Sequence, residues 1–460
     1  MNAHVNDYIS LLVTILVSVI TGFLFLSVLG LRKYGFNRYS KLCIDFALGN
    51  GLTTMILFFM SVASGHFNYY ILYVFIGLLF VLYAINFIWY KPTEKRQLLN
   101  KVLLPNPFQQ ILFFVLAAFL VVFIVRYFYG HNSLDGDAKF IYFFKSKMFF
   151  LENRVSPNFL LNRTYEFSHP DYPLLISIQA SYLYSLLGHV NIELARLLVV
   201  GYYIIILIFI YELFSAVQPP YFSILVLIVL LTQRYIRFEA FNGIDEIPLI
   251  LYFLIGTFFY YFYITKYDLH YLVLSGMMLG IGAWTKNEGL AYFVSVLISI
   301  VVGTLFYLKK DMLATGRNVF IYLCSGIFFI LPWWLFKREY HILSSWVFKD
   351  NIDFHINLLK LKSILMAMGK AVILDEPAVL ITIIAILFVL YSKKDYKMLI
   401  ILYLPIVIQF FVYIIVYYIQ PNPIIWELNT SIDRIVVQMI LPVLITGLLV
   451  LFPLKSTVSE

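Results

Sequence analysis

The sequence predicts an all-α polytopic membrane protein, with about 13 transmembrane helices and one outer catalytic loop carrying juxtamembrane helices of its own. Three observations predict it. The chain is 62% hydrophobic over 460 residues, above the roughly 45–50% of soluble domains. Its apolar runs are about 20 residues long, the length of a membrane-crossing helix rather than of the ~10-residue alternating strands of a barrel. Only 13% of residues are charged, yet Asp135, Asp137, Glu152, Glu166, His169 and Asp171 crowd into one segment between apolar runs. Acids gathered this way in a membrane protein mark chemistry or binding.

In chain order, the first apolar segment, 8–31, has no positive charge before it and no small-residue cleavage site after it. It reads as a retained span rather than a signal peptide. Further spans are expected at 44–64, 69–90, 108–129, 192–214, 221–236, 247–264, 270–284, 290–308, 318–335, 373–392, 398–418 and 434–453. The apolar stretch 174–187 follows two prolines and is too short to cross, which suggests a juxtamembrane or re-entrant helix. Phe354, Leu358, Leu361, Leu365 and Met368 recur at helical spacing, with His355, Lys360 and Lys362 on other faces. A helix lying in the outer interface fits, as does one packed on the bundle. The chain thus divides into N-terminal helices (1–129), an outer loop (130–191), a transmembrane core (192–335), an outer interfacial loop (336–372) and C-terminal helices (373–460).

The net charge of +8 does not point to nucleic acid, because the basic residues cluster at helix ends, where topology and lipid head groups place them. Arg32, Lys33, Arg38 and Lys41, then Lys91, Lys95, Arg96 and Lys101, then Lys266, Lys309, Lys310, Arg317, Lys393, Lys394, Lys397 and Lys455 all count to one side. The short loops between them, 1–7, 65–68 and 419–433, contain no Lys or Arg. The basic side is cytoplasmic by this rule, the N-terminus lies outside, and the 130–171 loop faces outside or a lumen. Cys43 and Cys324 lie in or beside apolar segments and imply no disulfide framework.

Several groups could carry chemistry. In Asp135-Gly136-Asp137 the glycine lets the backbone turn and aims both carboxylates into one space. They could serve as a general base or as oxygen ligands to a divalent cation, or be a solvated loop pair. Ser168-His169-Pro170-Asp171-Tyr172-Pro173 closes the same loop, two prolines stiffening the turn that carries His169 and Asp171. Asp245-Glu246 before Pro248 is ordinary helix-start chemistry, made interesting because the topology puts it on the side of Asp137. Trp284-Thr285-Lys286-Asn287-Glu288 joins two apolar segments almost without a loop. Lys286 there pairs locally with Glu288 or neutralises a phosphate. Arg434 at the start of the last span, or Arg234 and Arg237 with Glu239, could meet an anionic head group or snorkel. No phosphate-binding P-loop, dinucleotide fingerprint, H-E-x-x-H, C-x-x-C or G-x-S-x-G is present, which weighs against a nucleotide-driven pump or a soluble-type hydrolase.

In their order, D-G-D-A at 135–138, S-H-P-D-Y-P at 168–173, I-D-E-I-P-L at 244–249 and G-A-W-T-K-N-E-G at 282–289 resemble the GT-C membrane glycosyltransferases. The nearest resemblance is to the protein-O-mannosyltransferase-like and aminoarabinose-transferase-like bacterial enzymes. Many of those read D-E where this chain has D-A, and H-P-P where it has H-P-D, and three extra spans precede the loop here. The resemblance implies inverting transfer of a sugar from a polyprenyl-phosphate carrier to a lipid, glycan or protein acceptor, on the outer face of a bacterial cytoplasmic (inner) membrane. It implies a catalytic acid at Asp137, with Asp135 the alternative, and an H-P motif at His169. It also implies a later acid at Asp245 and a lysine at Lys286.

A sugar phosphoester already has a good leaving group, so such a reaction needs a base for the acceptor hydroxyl and cations for the departing phosphate. Asp137 is the expected base. Lys286, with Arg434, is the expected phosphate clamp, and His169, Asp171, Asp245 and Glu288 would orient substrate. A transporter or flippase of lipid-linked sugars, and a glycan polymerase or ligase, are the competing readings.

Overall fold

Two glycines decide how the chain begins to fold. Helices α1 (Val5–Val28) and α2 (Arg38–Ser64) cross at Gly22 and Gly49, where a Cβ on either would collide with the backbone of the other helix, at Asp45 and Ser18 respectively. Between apolar helices in lipid, such small residues gain backbone-to-backbone dispersion contacts where no hydrophobic driving force operates. Gly49→Ala is therefore expected to force α1 and α2 apart and cost about 1–3 kcal/mol. The loss would appear as a lower thermal midpoint in detergent. Gly77→Ala, where a Cβ would meet open space, should leave the midpoint unchanged.

The structure, a computed structural model, describes residues 5–34, 37–89, 107–130, 134–215, 220–342, 357–373, 396–420 and 423–451, and the isolated positions 383, 384, 387, 388 and 391. Among these residues all regular structure is helical. α3 (Tyr69–Trp89) and α4 (Pro107–Gly130) lead to the loop. The loop holds a π-helical turn, Ala138–Tyr142, then α5 (Phe143–Glu152), the single turn α6 (Pro157–Leu161), a 3-10 segment Arg163–Ser168 and α7 (Leu175–Leu187). Then come α8 (Ile192–Ser215), α9 (Pro220–Thr232), α10 (Arg234–Asn242), α11 (Glu246–Lys266), α12 (Leu269–Thr285), α13 (Asn287–Val302, extended by a π turn to Tyr307) and α14 (Met312–Glu339). α15 (Leu358–Ile373), α16 (Tyr396–Ile419) and α17 (Ile424–Leu451) complete the described chain.

Nine helices among the described residues are long and apolar enough to cross a membrane: α1, α2, α3, α8, α11, α13 with its π turn, α14, α16 and α17. α4, α7, α9 and α12 contain shorter apolar helices. α11 is the central post, with its apolar window buried throughout, packed on α8, α12 and α17. α12 lies against α14 at Gly276 and Gly280, where a Cβ would strike Ser325, Tyr322 and Gly326.

Two boundaries differ most from the sequence reading. The span expected at 221–236 ends at Thr232, and α10 begins after the extended residue Gln233. Arg234, Arg237 and Glu239 crowd three charges into six residues, which hydrocarbon does not accept. The last helix starts at Ile424, ten residues before the expected 434, because the polar run up to Asp433 is helical although not apolar. The short helix expected at 174–187 forms as α7, with Leu175 to Tyr184 all buried, against α1, α2 and α5.

A helix does form from Leu358, α15, and it packs on α16 and α17. Its buried face is Ile364, Met368 and Ala371, while Leu358 and Leu365 are exposed. The register is therefore rotated from that expected. Phe354 and His355, the span at 373–392 apart from its isolated positions, and the loop lysines at 91–101 lie outside the described residues.

Candidate active site

Four distant pieces of sequence meet at one end of the bundle: the loop after α4, the start of α11, the bend between α12 and α13, and the polar first third of α17. Each is shaped locally. In the loop, Asp135 Oδ1 accepts the backbone N–H of Asp137 at 2.7 Å, and the Asp135 N–H donates to the carbonyl of Asn242 at 3.2 Å, tying the loop to the end of α10. The chain then enters a helix whose first turn is π-helical, a form frequent at functional sites.

α11 starts with Asp245 and Glu246, carboxylates at the helix end whose dipole favours them, and Pro248 sits in the first turn, where no intrahelical N–H is needed. The bend is one residue long: Lys286 is extended (φ −154, ψ 154) between two helices. Gly282 and Gly289 would be about 10 Å apart along one continuous helix. Here their backbones touch so closely that a Cβ on Gly289 would overlap the Gly282 carbonyl. The two helices fold back on each other, and Lys286 is carried at the tip. In α17, Glu427, Asn429, Thr430, Ser431 and Asp433 precede Arg434, after which the helix turns apolar. Arg434 therefore stands where α17 passes from polar to apolar sequence, about 15 Å along the helix.

These pieces form one chain of charge. Asp137 is ion-paired with Arg434, whose second amino group donates to the Thr430 carbonyl at 3.0 Å. Both remain accessible, at 38% and 25% of their side chains. Behind them Lys286 is buried and in direct contact with Glu246, with Glu288 at 3.5 Å and Asp245 at 3.6 Å. Burial works against the Lys286 ammonium, but the summed fields of Glu246, Glu288 and Asp245 outweigh it and hold the proton on. Burial raises Asp245 well above the usual carboxylate range, and pushes Glu239, with Glu246 beside it, up to about 9. Asp135 is also raised, by burial.

Asp137 opens onto a cleft of about 490 Å³, lined by Gly136, Asp137, Phe140, Ile141, Phe167 and His169. Phe140 and Phe167 are 52% and 47% exposed and pack edge to face with ring centres 6.4 Å apart, an apolar rim beside a charged floor.

His169 is held in the left-handed region (φ 48), a conformation a non-glycine residue keeps only when its surroundings impose it. The Lys145 ammonium donates to its carbonyl at 3.0 Å, and its ring stacks on Tyr172 at 4.7 Å. Lys337 reaches the Asp171 carbonyl at 3.4 Å from α14. Burial holds the His169 imidazole below its usual range, so it is neutral at pH 7.

Lys145 is wholly buried between the rings of Tyr142 and Tyr172, and burial brings its pKa down to about 8. The folded state thus binds this proton less tightly than the unfolded chain, whose lysines titrate near 10.4. Stability should then rise as pH climbs from about 8 to about 10.4, where the unfolded chain holds more protons. Thermal unfolding of wild type and Lys145→Met across that range should show the rise in the first and lose its lysine part in the second.

Set against the sequence, the structure gathers Asp135, Asp137, His169, Asp171, Asp245, Lys286, Glu288 and Arg434 at one end of the molecule. It pairs them differently from expectation. Arg434, not Lys286, is the cation on Asp137, and Lys286 is closed in by three carboxylates rather than standing open to a phosphate. A divalent cation at Asp135 and Asp137 does not fit these side chains: one is bound by a guanidinium and the other accepts a backbone N–H. Among the described residues no three His, Cys, Asp or Glu side chains are placed to hold a metal ion.

Sequence reasoning missed Lys145, Lys337 and Tyr142, which faces Asp245. A lysine in an aromatic helix, as in F-F-K-S-K-M-F-F, was the available signal. His131 and the side chains of Arg234 and Arg237 lie outside those described. Compared with known protein families, with curated proteins and with solved structures, the chain matches none.

Proposed function

We propose that this protein is an inverting membrane glycosyltransferase that moves a sugar from a polyprenyl-phosphate carrier to an acceptor hydroxyl. The observation that carries the reading is the pairing of Asp137 with Arg434 at the mouth of an aromatic-rimmed cleft. A base and a phosphate-binding cation stand side by side, next to apolar surface suited to an isoprenoid tail. Asp137 takes the proton of the acceptor O–H. The acceptor oxygen forms a bond to the anomeric carbon as the bond from that carbon to the phosphate oxygen breaks. The electron pair leaves with the polyprenyl phosphate, which Arg434 stabilises. His169, fixed in its turn and lining the cleft, offers a hydrogen bond to the sugar. Lys286 keeps the acids behind the site from repelling the phosphate.

In this reading α4, α9 continued by α10, and α12 also cross the membrane, and with the span expected at 373–392 the count is thirteen. The N-terminus and the 130–171 loop then face outside a bacterial cytoplasmic membrane. The test is reconstitution of the full chain in vesicles with a polyprenyl-phosphate sugar and mixed acceptors. Release of polyprenyl phosphate that depends on acceptor supports the reading. Movement of intact lipid-linked sugar across the bilayer, without release, would instead favour a flippase.

A further inference from the structure

The base and the phosphate-binding cation of the proposed site neutralise each other in this structure. Arg434 spends one amino group on Asp137 and another on the Thr430 carbonyl. Lys286 has no equivalent freedom, since Glu246, Glu288 and Asp245 surround it. Asp137 lines the cleft and Arg434, a quarter exposed, stands behind it, so a phosphate in the cleft reaches the guanidinium past Asp137 and competes with that carboxylate for it. A phosphate carries more negative charge than a carboxylate and offers more oxygens to the planar guanidinium. Asp137, the smaller partner and on the cleft side, is the one that can be displaced without unfolding the helix.

We infer that the Asp137–Arg434 pair is a latch that the donor's phosphate opens: phosphate replaces carboxylate on Arg434, and Asp137 is released into the cleft as a free base. The inference rests on the transferase reading and adds an order to it. Donor binds before acceptor, and without donor the carboxylate is held on the guanidinium, unable to activate a hydroxyl or a water. The Asp135 side chain keeps the Asp137 backbone in place through the exchange, because its 2.7 Å bond is to the amide and not to the carboxylate.

The probe is a polyprenyl monophosphate, titrated into the full chain in detergent, with the corresponding prenol as the control for tail binding. The latch expects Asp137→Asn to bind the phosphate about five-fold more tightly than wild type, the worth of a partly exposed ion pair, and Arg434→Gln to bind it more weakly. In wild type it expects the phosphate, but not the prenol, to raise labelling of Asp137 by a water-soluble carbodiimide, read by peptide mass spectrometry. This second measurement needs no variant to fold. If Arg434→Gln weakens binding while Asp137→Asn and the labelling are unchanged, the latch is overturned and the phosphate site stands. If prenol and phosphate bind alike to all three proteins, the phosphate site falls as well.

Discussion

Asp137→Asn is expected to leave the protein folded and to lower sugar transfer by about 10²–10⁴-fold, the usual worth of a general base. Asparagine keeps the size of the side chain and the backbone N–H that donates to Asp135, so the loop geometry survives. What it loses is the capacity to take a proton. Arg434 retains its bond to the Thr430 carbonyl and stays beside residue 137, which lines the cleft, so donor binding should persist in the variant. The discriminating measurement is therefore turnover beside donor affinity in the same vesicles. Loss of turnover with retained or tighter donor binding is the expected pattern. Asp135→Asn should act differently, through the loop. Its carboxylate accepts the Asp137 amide, and the amide oxygen of asparagine can do the same, so the expected loss is small. Near-wild-type turnover in Asp137→Asn, or a larger loss at Asp135, would remove Asp137 from the base position.

Lys286→Met should cost about 3–5 kcal/mol of stability, the largest structural effect of any single change considered, because it leaves buried charge uncompensated. Glu246 is fully buried and in direct contact with the ammonium, and Asp245 and Glu288 lie within 3.6 Å of it. Without the cation, Glu246 must either keep a naked charge or take up a proton. Both weaken the junction of α11 with the α12–α13 bend. The double variant Lys286→Met, Glu246→Leu removes both ends of the contact and should recover part of the loss, since replacing a buried pair with apolar groups is often close to neutral. The thermal midpoints of the two singles and the double form a cycle. An additive cycle would mean that the contact carries no coupling and that Lys286 matters for another reason.

How far the site could be read from sequence differs by residue. Asp137 and His169 stand out because charged and turn-forming residues are rare in so apolar a chain, and each rarity is visible locally. Lys286 stands out for the same reason, but only one of its partners does. A Lys-x-Glu spacing suggests Glu288, which is there at 3.5 Å, while the direct contact is with Glu246, forty positions earlier. Pairing across such a separation depends on which helix ends share a layer, which hydropathy does not encode. Lys145 was passed over, despite its aromatic neighbours in sequence, because a lysine in a loop helix reads as solvated until packing closes those rings over it. Arg434 was taken as the first residue of a span, but polar residues can continue a helix outside hydrocarbon, so the apolar boundary is not the helix boundary.

The sequence by itself determined that the chain is helical and apolar enough to cross a membrane many times, because backbone groups in hydrocarbon must be satisfied within each helix and side-chain polarity reports that solvent directly. It also determined where charge is scarce, and so which few residues needed explaining. Only the tertiary structure decided which acid meets which cation, that α7 is wrapped in protein, and that α15 buries a rotated face. Those outcomes turn on close contacts such as Gly22 with the Asp45 carbonyl and Gly289 with the Gly282 carbonyl. Contacts of that kind are set by shape between distant segments, and every local segment of the sequence is compatible with several of them.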